Sequence, residues 1–434
     1  MARAKKEAAL TPEERLQAAL VPDWAWPYKL PKNWCWVYAP HIFDIEYGKG
    51  LPTKQLSDTG YPVFGANGQI GFYSEYMYKE PQALMSCRGA YSGTMNKSLP
   101  YSYVTSNSLI ISSPRGLMGT DCIYYLFSAL NVSELISGTA QPQVTVQAFD
   151  GFPIPLSPLA EQQRIVDRIE SLFAKLDEAK EKAQAVVDSF ETRKAAILHK
   201  AFTGELTAKW REEHGVGMES WGKKSVGELC ISLKYGTAKK SDASGNVVVL
   251  RMGNLQQGEI DWSDLAYSND PDDIEKYKLF PGDVLFNRTN SAALVGKTAI
   301  YRGEHPAIYA GYLIKLDYDH DKIIGDYLNY ALNTLDAKKY CNSVKTDGVN
   351  QSNINAKKIG AYSFNVPSIP EQEKIVSVIQ KLLSKEQQSK EAAEAVLDQI
   401  DLMKKSILAR AFRGELGTND PSEESAVELL KQLN

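Results

Sequence analysis

The strongest constraint on the fold is an internal repeat. Glu161-Gln162-Gln163-Arg164-Ile165-Val166 recurs as Glu371-Gln372-Glu373-Lys374-Ile375-Val376, and Ala201-Phe202-Thr203-Gly204-Glu205-Leu206 recurs as Ala411-Phe412-Arg413-Gly414-Glu415-Leu416. Both pairs are offset by 210 positions, so the 46-residue unit repeats without a gap, and 21 of its 46 positions are identical. Self-similarity at a fixed spacing means one structural unit built twice.

The unit reads as a long helix. In the first copy apolar residues fall at Ile165, Ile169, Leu172, Leu176, Ala179, Ala183, Val186 and Phe190, and in the second at Ile375, Ile379, Leu382, Ala393, Val396, Ile400, Met403 and Ile407. Spacings of four and three make a heptad seam, the pattern of a helix packed lengthwise on a partner. Ser368 and Glu371 have capping-box spacing, Ser157-Pro158 offers a cap and a first-turn proline, and Gly204 and Gly414 stop the helices. Each helix would run roughly 65 Å at ~1.5 Å per residue. Glu386 and Ser389 interrupt the second seam, and Arg193 enters the first. A parallel in-register pair would set Glu386 on Leu176 and Arg193 on Met403, two desolvated charges on apolar partners. An antiparallel pair instead sets Arg193 on Glu386 and Leu176 on Met403, and is the expected arrangement.

A segment of about 150 residues precedes each helix, rich in short β-branched and aromatic runs between Gly, Pro, Asn and Ser, as in VFGANGQIGFYSEY and VVVLRMGNLQQGEIDW. Such runs predict mixed, strand-rich domains. The segments echo one another. Tyr47-Gly48 with Lys49 and Lys54 resembles Tyr235-Gly236 with Lys239 and Lys240, Arg88 in SCRGAYSGT resembles Arg288 in FNRTNSAALVGKT, and SGTAQPQV resembles TDGVNQSNI. The expected organisation is a first arm and domain at 1–158, a helix at 159–206, a second domain at 207–369, a helix at 370–416 and a tail at 417–434.

Charge gives no hint of a partner. The net charge is −4, residues 1–158 hold 12 basic and 12 acidic side chains, and residues 207–369 hold 20 of each. The five cysteines are scattered without CxxC spacing, which argues against a disulfide framework or a zinc site and for buried thiols. The charged start and the absence of a long apolar run argue for a cytoplasmic protein without a membrane partner.

Domain, helix, domain, helix, with EQxxIV opening and AFxGEL closing each helix, resembles the specificity subunit of type I restriction-modification enzymes. The resemblance spans essentially the whole chain and implies an α+β architecture: two strand-rich target-recognition domains joined by two helices in an antiparallel, pseudo-two-fold coiled coil. It implies a phage-defence role in which the chain reads an asymmetric bipartite site on double-stranded DNA, docks two modification subunits and works with restriction subunits. It also implies that the chain is not itself an enzyme and holds no cofactor, with S-adenosylmethionine and adenine methylation on the modification subunits. Two unlike heads on a spacer suit half-sites about one helical turn apart, ~34–36 Å. The competing reading is a coiled-coil scaffold whose twin heads bind proteins.

The residues offer no catalytic constellation. An Asn/Asp-Pro-Pro-aromatic tetrapeptide is missing, and Asn269-Asp270-Pro271-Asp272 is no substitute. SAALVGKT at 291–298 has the tail of a phosphate-binding loop, but Ser291 replaces the first glycine and TAIYRG reads as strand. Gly65, Gly68 and Gly71 read as a turn between strands. Within the implied architecture the polar loops become candidates for DNA contact, through phosphate grip or base pairing. They are Lys49, Lys54, Arg88, Tyr91, Asn96, Lys97, Gln141 and Gln143 in the first domain. The second supplies Lys234, Lys239, Lys240, Arg288, Asn290, Lys297, Lys345, Asn350, Gln351 and Asn353. Short helices are expected around Leu10–Leu16 and Pro421–Leu430, serving either a circular closure of the fold or frayed tails.

Overall fold

The computed structural model describes residues 11–349 and 351–431. The chain forms two compact units: one takes the chain up to Ala183 and from Ala395 onward, the other Gln184–Glu394. The division falls inside the repeat helices, so each unit draws on both copies.

In the first unit, strands β1 (Cys35–Tyr38), β2 (Asp44–Tyr47), β3 (Tyr61–Gly65), β4 (Gly68–Tyr73), β5 (Ala83–Ser86), β6 (Met95–Lys97), β7 (Tyr103–Val104), β8 (Ser108–Ser112), β9 (Ile136–Ser137), β10 (Gln143–Val144) and β11 (Pro153–Leu156) build the head. The sheet order is β2-β8-β5-β6, beside β4-β3-β7 with β3 and β7 parallel, while β1 pairs with β11 and β9 with β10. β5 and β8 are near-continuous apolar runs because both faces are covered: Leu84, Met85, Leu109, Ile110 and Ile111 are fully buried.

The second head repeats this topology with β12 (Gly222–Ser225), β13 (Cys230–Tyr235), β14 (Val247–Leu250), the hairpin β15 (Leu255–Gln256) and β16 (Glu259–Ile260), β17 (Tyr267–Ser268), β18 (Val284–Asn287), β19 (Thr289–Asn290), β20 (Thr298–Ile300), β21 (Ala307–Tyr309), β22 (Leu313–Tyr318), β23 (Thr346–Asp347), β24 (Ser352–Asn353) and β25 (Ser363–Val366). Its orders, β13-β22-β18-β20 and β17-β14-β21 with β14 and β21 parallel, match the first head strand for strand, and β12 pairs with β25 as β1 does with β11. The duplication thus includes the heads, and the strand after the phosphate-loop-like segment is β20, as its sequence suggests.

The helices are α1 (Pro12–Ala19), α2 (Thr120–Ala129), α3 (Leu159–Asp188), α4 (Phe190–Phe202), α5 (Ala208–His214), α6 (Val226–Leu229), α7 (Pro271–Tyr277), α8 (Gly325–Leu332), α9 (Leu335–Val344), α10 (Ala356–Gly360), α11 (Ile369–Ala411) and α12 (Ala426–Lys431). The repeat helices stop at glycines in the left-handed region, Gly204 at φ 85° and Gly414 at φ 74°. The first copy is not one helix. Ser189, at ψ −3°, separates α3 from α4, and its hydroxyl bonds back to the Ala185 carbonyl in competition with the helical ladder.

Within each unit the paired helical stretches run antiparallel. In the first, Lys180 pairs with Asp401 at 3.6 Å and Asp177 with Lys404 at 2.5 Å, one number falling as the other rises. In the second, Arg193 pairs with Glu386 at 2.5 Å and Phe190 lies under Lys390. Of the seam residues, Ile165, Ile169, Ala183, Phe190, Ile375, Ile379, Ala393 and Ile400 are buried, and Leu172, Leu176, Val186, Leu382 and Ile407 half-buried. Val396 and Met403 are corrections: they are 41% and 45% exposed. The inward stripe passes one residue later, through Leu397 and Lys404, because the Lys404 amine reaches both Asp177 and the Phe173 ring and its stem covers the seam.

The recurring motifs meet one another. Glu161 is fully buried and accepts from the Trp34 indole (2.7 Å), the Thr418 hydroxyl (3.2 Å) and the Asn419 amide (2.9 Å). Glu371, equally buried, accepts from the Trp221 indole (3.0 Å), the Thr207 hydroxyl (2.7 Å) and Arg211 (2.6 Å). The Glu371 carboxylate therefore binds neighbouring elements in place of the capping role its spacing suggests. Gln162 and Gln372 donate to the carbonyls of Ser157 and Pro367, fixing each helix start to the strand before it. Thr207 follows the first AFxGEL and Thr418 the second, so in each unit the start of one repeat copy is locked to the end of the other. The C-terminal segment is packed, not frayed: Arg164 grips Glu423 with two bonds and Asn33 accepts the Ala426 amide. Thr11 and Glu14 form a reciprocal capping box on α1.

Candidate nucleic-acid interface

Each head presents a rim where the Tyr-Gly step that ends β2 or β13 comes beside the loop that follows β5 or β18. A Cβ on Gly48 would lie 2.3 Å from the Thr105 carbonyl oxygen, and one on Gly236 would lie 2.1 Å from that of Tyr309, so only glycine fits either crossing. The preceding tyrosines, Tyr47 and Tyr235, are each 42% exposed. The loose echo of the two heads therefore marks one structural position.

In the first head Arg88 leaves β5, bridges to Gln143, and its neighbours Gly89 and Ser92 donate to the Pro142 carbonyl. Arg88, Tyr91, Gln141 and Gln143 are thereby gathered and exposed. Lys49 bridges to Thr105, whose turn reaches Cys87 through Asn107, so it borders the same rim. Lys54 is exposed in the turn Thr53–Gln55. Asn96 is half-buried with its amide 3.4 Å from the Ser86 hydroxyl, and Lys97 is drawn to Asp121 at 2.7 Å on α2; these two are not part of the gathered loops.

In the second head Arg288 comes one position earlier than Arg88 does and takes the place of Cys87. It donates its amide to the Tyr312 carbonyl as Cys87 does to Asn107, and accepts from the Ile354 amide as Cys87 does from Val144, so that Thr289 stands where Arg88 does. The Arg288 guanidinium lies 5.0 Å from the Tyr235 ring centre, and its Nε is buried without a hydrogen-bond partner among the described residues. The next residues pair Thr289 with Asn353 and Asn290 with Ser352, and the Asn353 amide oxygen accepts from the Thr289 hydroxyl at 2.6 Å. Lys345 reaches the Ala292 carbonyl at 3.3 Å and Asp347 at 3.5 Å; Gln351 is exposed, and Asn350 lies outside the described residues. Lys234 and Lys239 are not free cations. Lys234 sits on Asp317 at 2.8 Å and holds that carboxyl below its usual range, while Lys239 contacts Asp270 at 2.6 Å and Asp273 at 3.5 Å. Lys240 is exposed, and Lys297 points away to Gln256 at 2.7 Å. Tyr47, Tyr235 and Tyr312, the last 48% exposed beside Arg288, are rim residues absent from the sequence candidates; the Tyr-Gly echo was the available signal for the first two.

The cysteines serve the core. Cys35, Cys87, Cys122 and Cys341 are buried, Cys230 is half-buried, all are free, and burial pushes the thiols of Cys35, Cys122 and Cys230 up to about 12. Among the described residues no His, Cys, Asp or Glu group has metal-binding geometry, and no helix is long and apolar enough to cross a membrane.

Residues 31–187 and 218–396 match the type I restriction modification DNA specificity domain. The chain belongs to that family. Two relatives are the type I restriction enzyme StySPI specificity subunit of Salmonella potsdam, 28% identical over 289 residues, and the EcoKI specificity subunit of Escherichia coli K12, 28% identical over 294. Each match covers 66% of this chain and 62% of the relative, so the matched region spans less than two thirds of either curated protein. The specificity-family fold is shared with the HsdS subunit from Thermoanaerobacter tengcongensis, at TM-score 0.59 and 20% identity over 90% of this chain and 99% of that one. A chain from the complex assembly of a type I R-M system aligns at TM-score 0.65 and 19% identity, covering 90% of this chain and all of the other.

Proposed function

We propose that this chain is the DNA-reading subunit of a type I restriction-modification complex and carries no catalytic centre. Each head is a target-recognition domain, approximately 1–158 and 207–369, and each reads one half of an asymmetric bipartite site. The repeat helices form an antiparallel coiled coil that spaces the heads and docks two modification subunits, which bring S-adenosylmethionine; restriction subunits complete the assembly. The observation that carries this reading is the rim built twice on one frame, Arg88 with Gln143 in one head and Thr289, next to Arg288, with Asn353 in the other, from loops that differ in sequence. A common frame with unlike loops suits two unlike half-sites. The balanced charge of the heads fits a subunit that binds DNA weakly alone and tightly beside basic partners.

The test is to assemble the chain with its modification subunits and map methylated adenines genome-wide. A bipartite asymmetric motif is expected. Inserting one heptad into both repeat helices should change the tolerated gap between half-sites and leave their bases unchanged. Altered bases at a fixed gap would defeat the spacer role, and an assembled complex without sequence preference would favour a protein-binding scaffold.

A further inference from the structure

The segment resembling the end of a phosphate-binding loop, unused by the DNA-reading proposal, borders a cavity of about 530 Å³ in the second unit. Three lysines from separate elements line it: Lys194 on α4, Lys297 entering β20 and Lys338 on α9. Among the described residues no carboxylate lies within ion-pairing distance of any of the three; Glu191 is the one acidic residue of the lining. Burial lowers the amine pKa of Lys194 and of Lys297; Lys338 pushes the same way at both, while Glu191 and Glu259 oppose it at Lys194. Three ammonium groups in a partly closed space repel each other until an anion joins them.

The loop backbone does not supply that binding. The Leu294 and Val295 amides both donate to the Ser291 carbonyl and Gly296 donates to Asn287, so this is no backbone cradle. Lysines, each a compact charge with three donors, would do the work. Among its described residues the first unit has no counterpart. The residue 210 positions after Lys194 is Lys404, held by Asp177 and Phe173, and where α9 stands the first head has only the turn Ser133–Leu135 before β9. One such site exists per chain among the described residues.

We propose that Lys194, Lys297 and Lys338 form a binding site for a phosphate group, carried by a free ligand or by a nucleic-acid backbone. The full chain should bind inorganic pyrophosphate at low salt in calorimetry, and the K194Q/K338Q double variant should bind at least tenfold more weakly. K339Q, on the same helix but paired to Asp336, should match the parent. Pyrophosphate should raise the Tm of the parent and leave that of the double variant unchanged. Without ligand the double variant should melt no lower than the parent, because like charges have been removed; should it melt lower, K338Q alone carries the comparison. No binding by the parent, or equal binding by the variants, overturns the site. In the assembled complex, competition between pyrophosphate and target DNA, with a shallower salt dependence for the double variant, assigns the backbone as ligand; unchanged DNA binding assigns a free phosphate compound. Only this last arm rests on the DNA-reading proposal, so the two can fail separately.

Discussion

In the first head Lys49, Lys54 and Arg88 carry no ion pair among the described residues, whereas in the second Lys234 and Lys239 are bound to Asp317, Asp270 and Asp273. Beneath these loops the strand order, the parallel β3–β7 and β14–β21 pairs and the glycine crossings are the same. Packing leaves no freedom at a carbonyl 2.1 Å from a would-be Cβ, while an exposed loop can exchange free cations for internal pairs at little cost to stability. The second buried comparison runs the other way. Glu161 is satisfied by neutral donors, and Glu371 by an arginine that is itself nearly buried.

The largest expected effect tests that last contrast. Glu371→Ala strands Arg211 and should cost about 3–5 kcal/mol of the second unit's stability, whereas Glu161→Ala leaves neutral donors unpaired and should cost about 2 kcal/mol. Urea unfolding of both variants measures the gap, and equal losses would erase the distinction. Next come Arg88→Ala and Arg288→Ala. Each should weaken specific binding by the assembled complex by about 1–3 kcal/mol and relax base choice only in its own half-site. Binding to duplexes randomised in one half resolves the two, and relaxation in both halves together would count against separate reading heads.

Smaller effects separate free from paired lysines. Lys49→Ala should lower the salt slope of DNA binding by about one, while Lys239→Ala should barely move it; similar slopes would mean that Lys239 leaves its aspartates for phosphate. The smallest effect concerns the seam. Arg193 and Glu386 are 32% and 25% exposed at their side chains, so a double-mutant cycle with Arg193→Met and Glu386→Leu should return a coupling of about 0.5–1 kcal/mol. A coupling of zero would mean that the pair sets helix direction without adding stability.

Direction and duplication were legible in the sequence because few arrangements satisfy them. The charges at Arg193 and Glu386 admit an antiparallel pair and penalise a parallel one, and the Tyr-Gly echo marks equivalent positions, while the Arg echo falls in the same loop but one position out of register. What escaped depends on tertiary placement. A heptad pattern specifies a period but tolerates a one-residue drift, so Leu397 and Lys404 replace Val396 and Met403 without violating it. The aspartates that neutralise Lys239 lie 31 and 34 positions away in sequence, and the acceptor role of Glu371 requires a tryptophan 150 positions earlier. Each of these pairings is created by the fold, with no local signature to read.

The exchange of helix ends between repeat copies bears on synthesis. The second unit is one uninterrupted stretch, whereas the first is completed by residues from Ala395 onward. On the ribosome, where domains fold largely in the order they emerge, the later-made head can close first. The earlier one must keep the buried seat of Glu161 open until Thr418 and Asn419 leave the exit tunnel, so a prematurely truncated chain would yield its second head finished and its first unsealed.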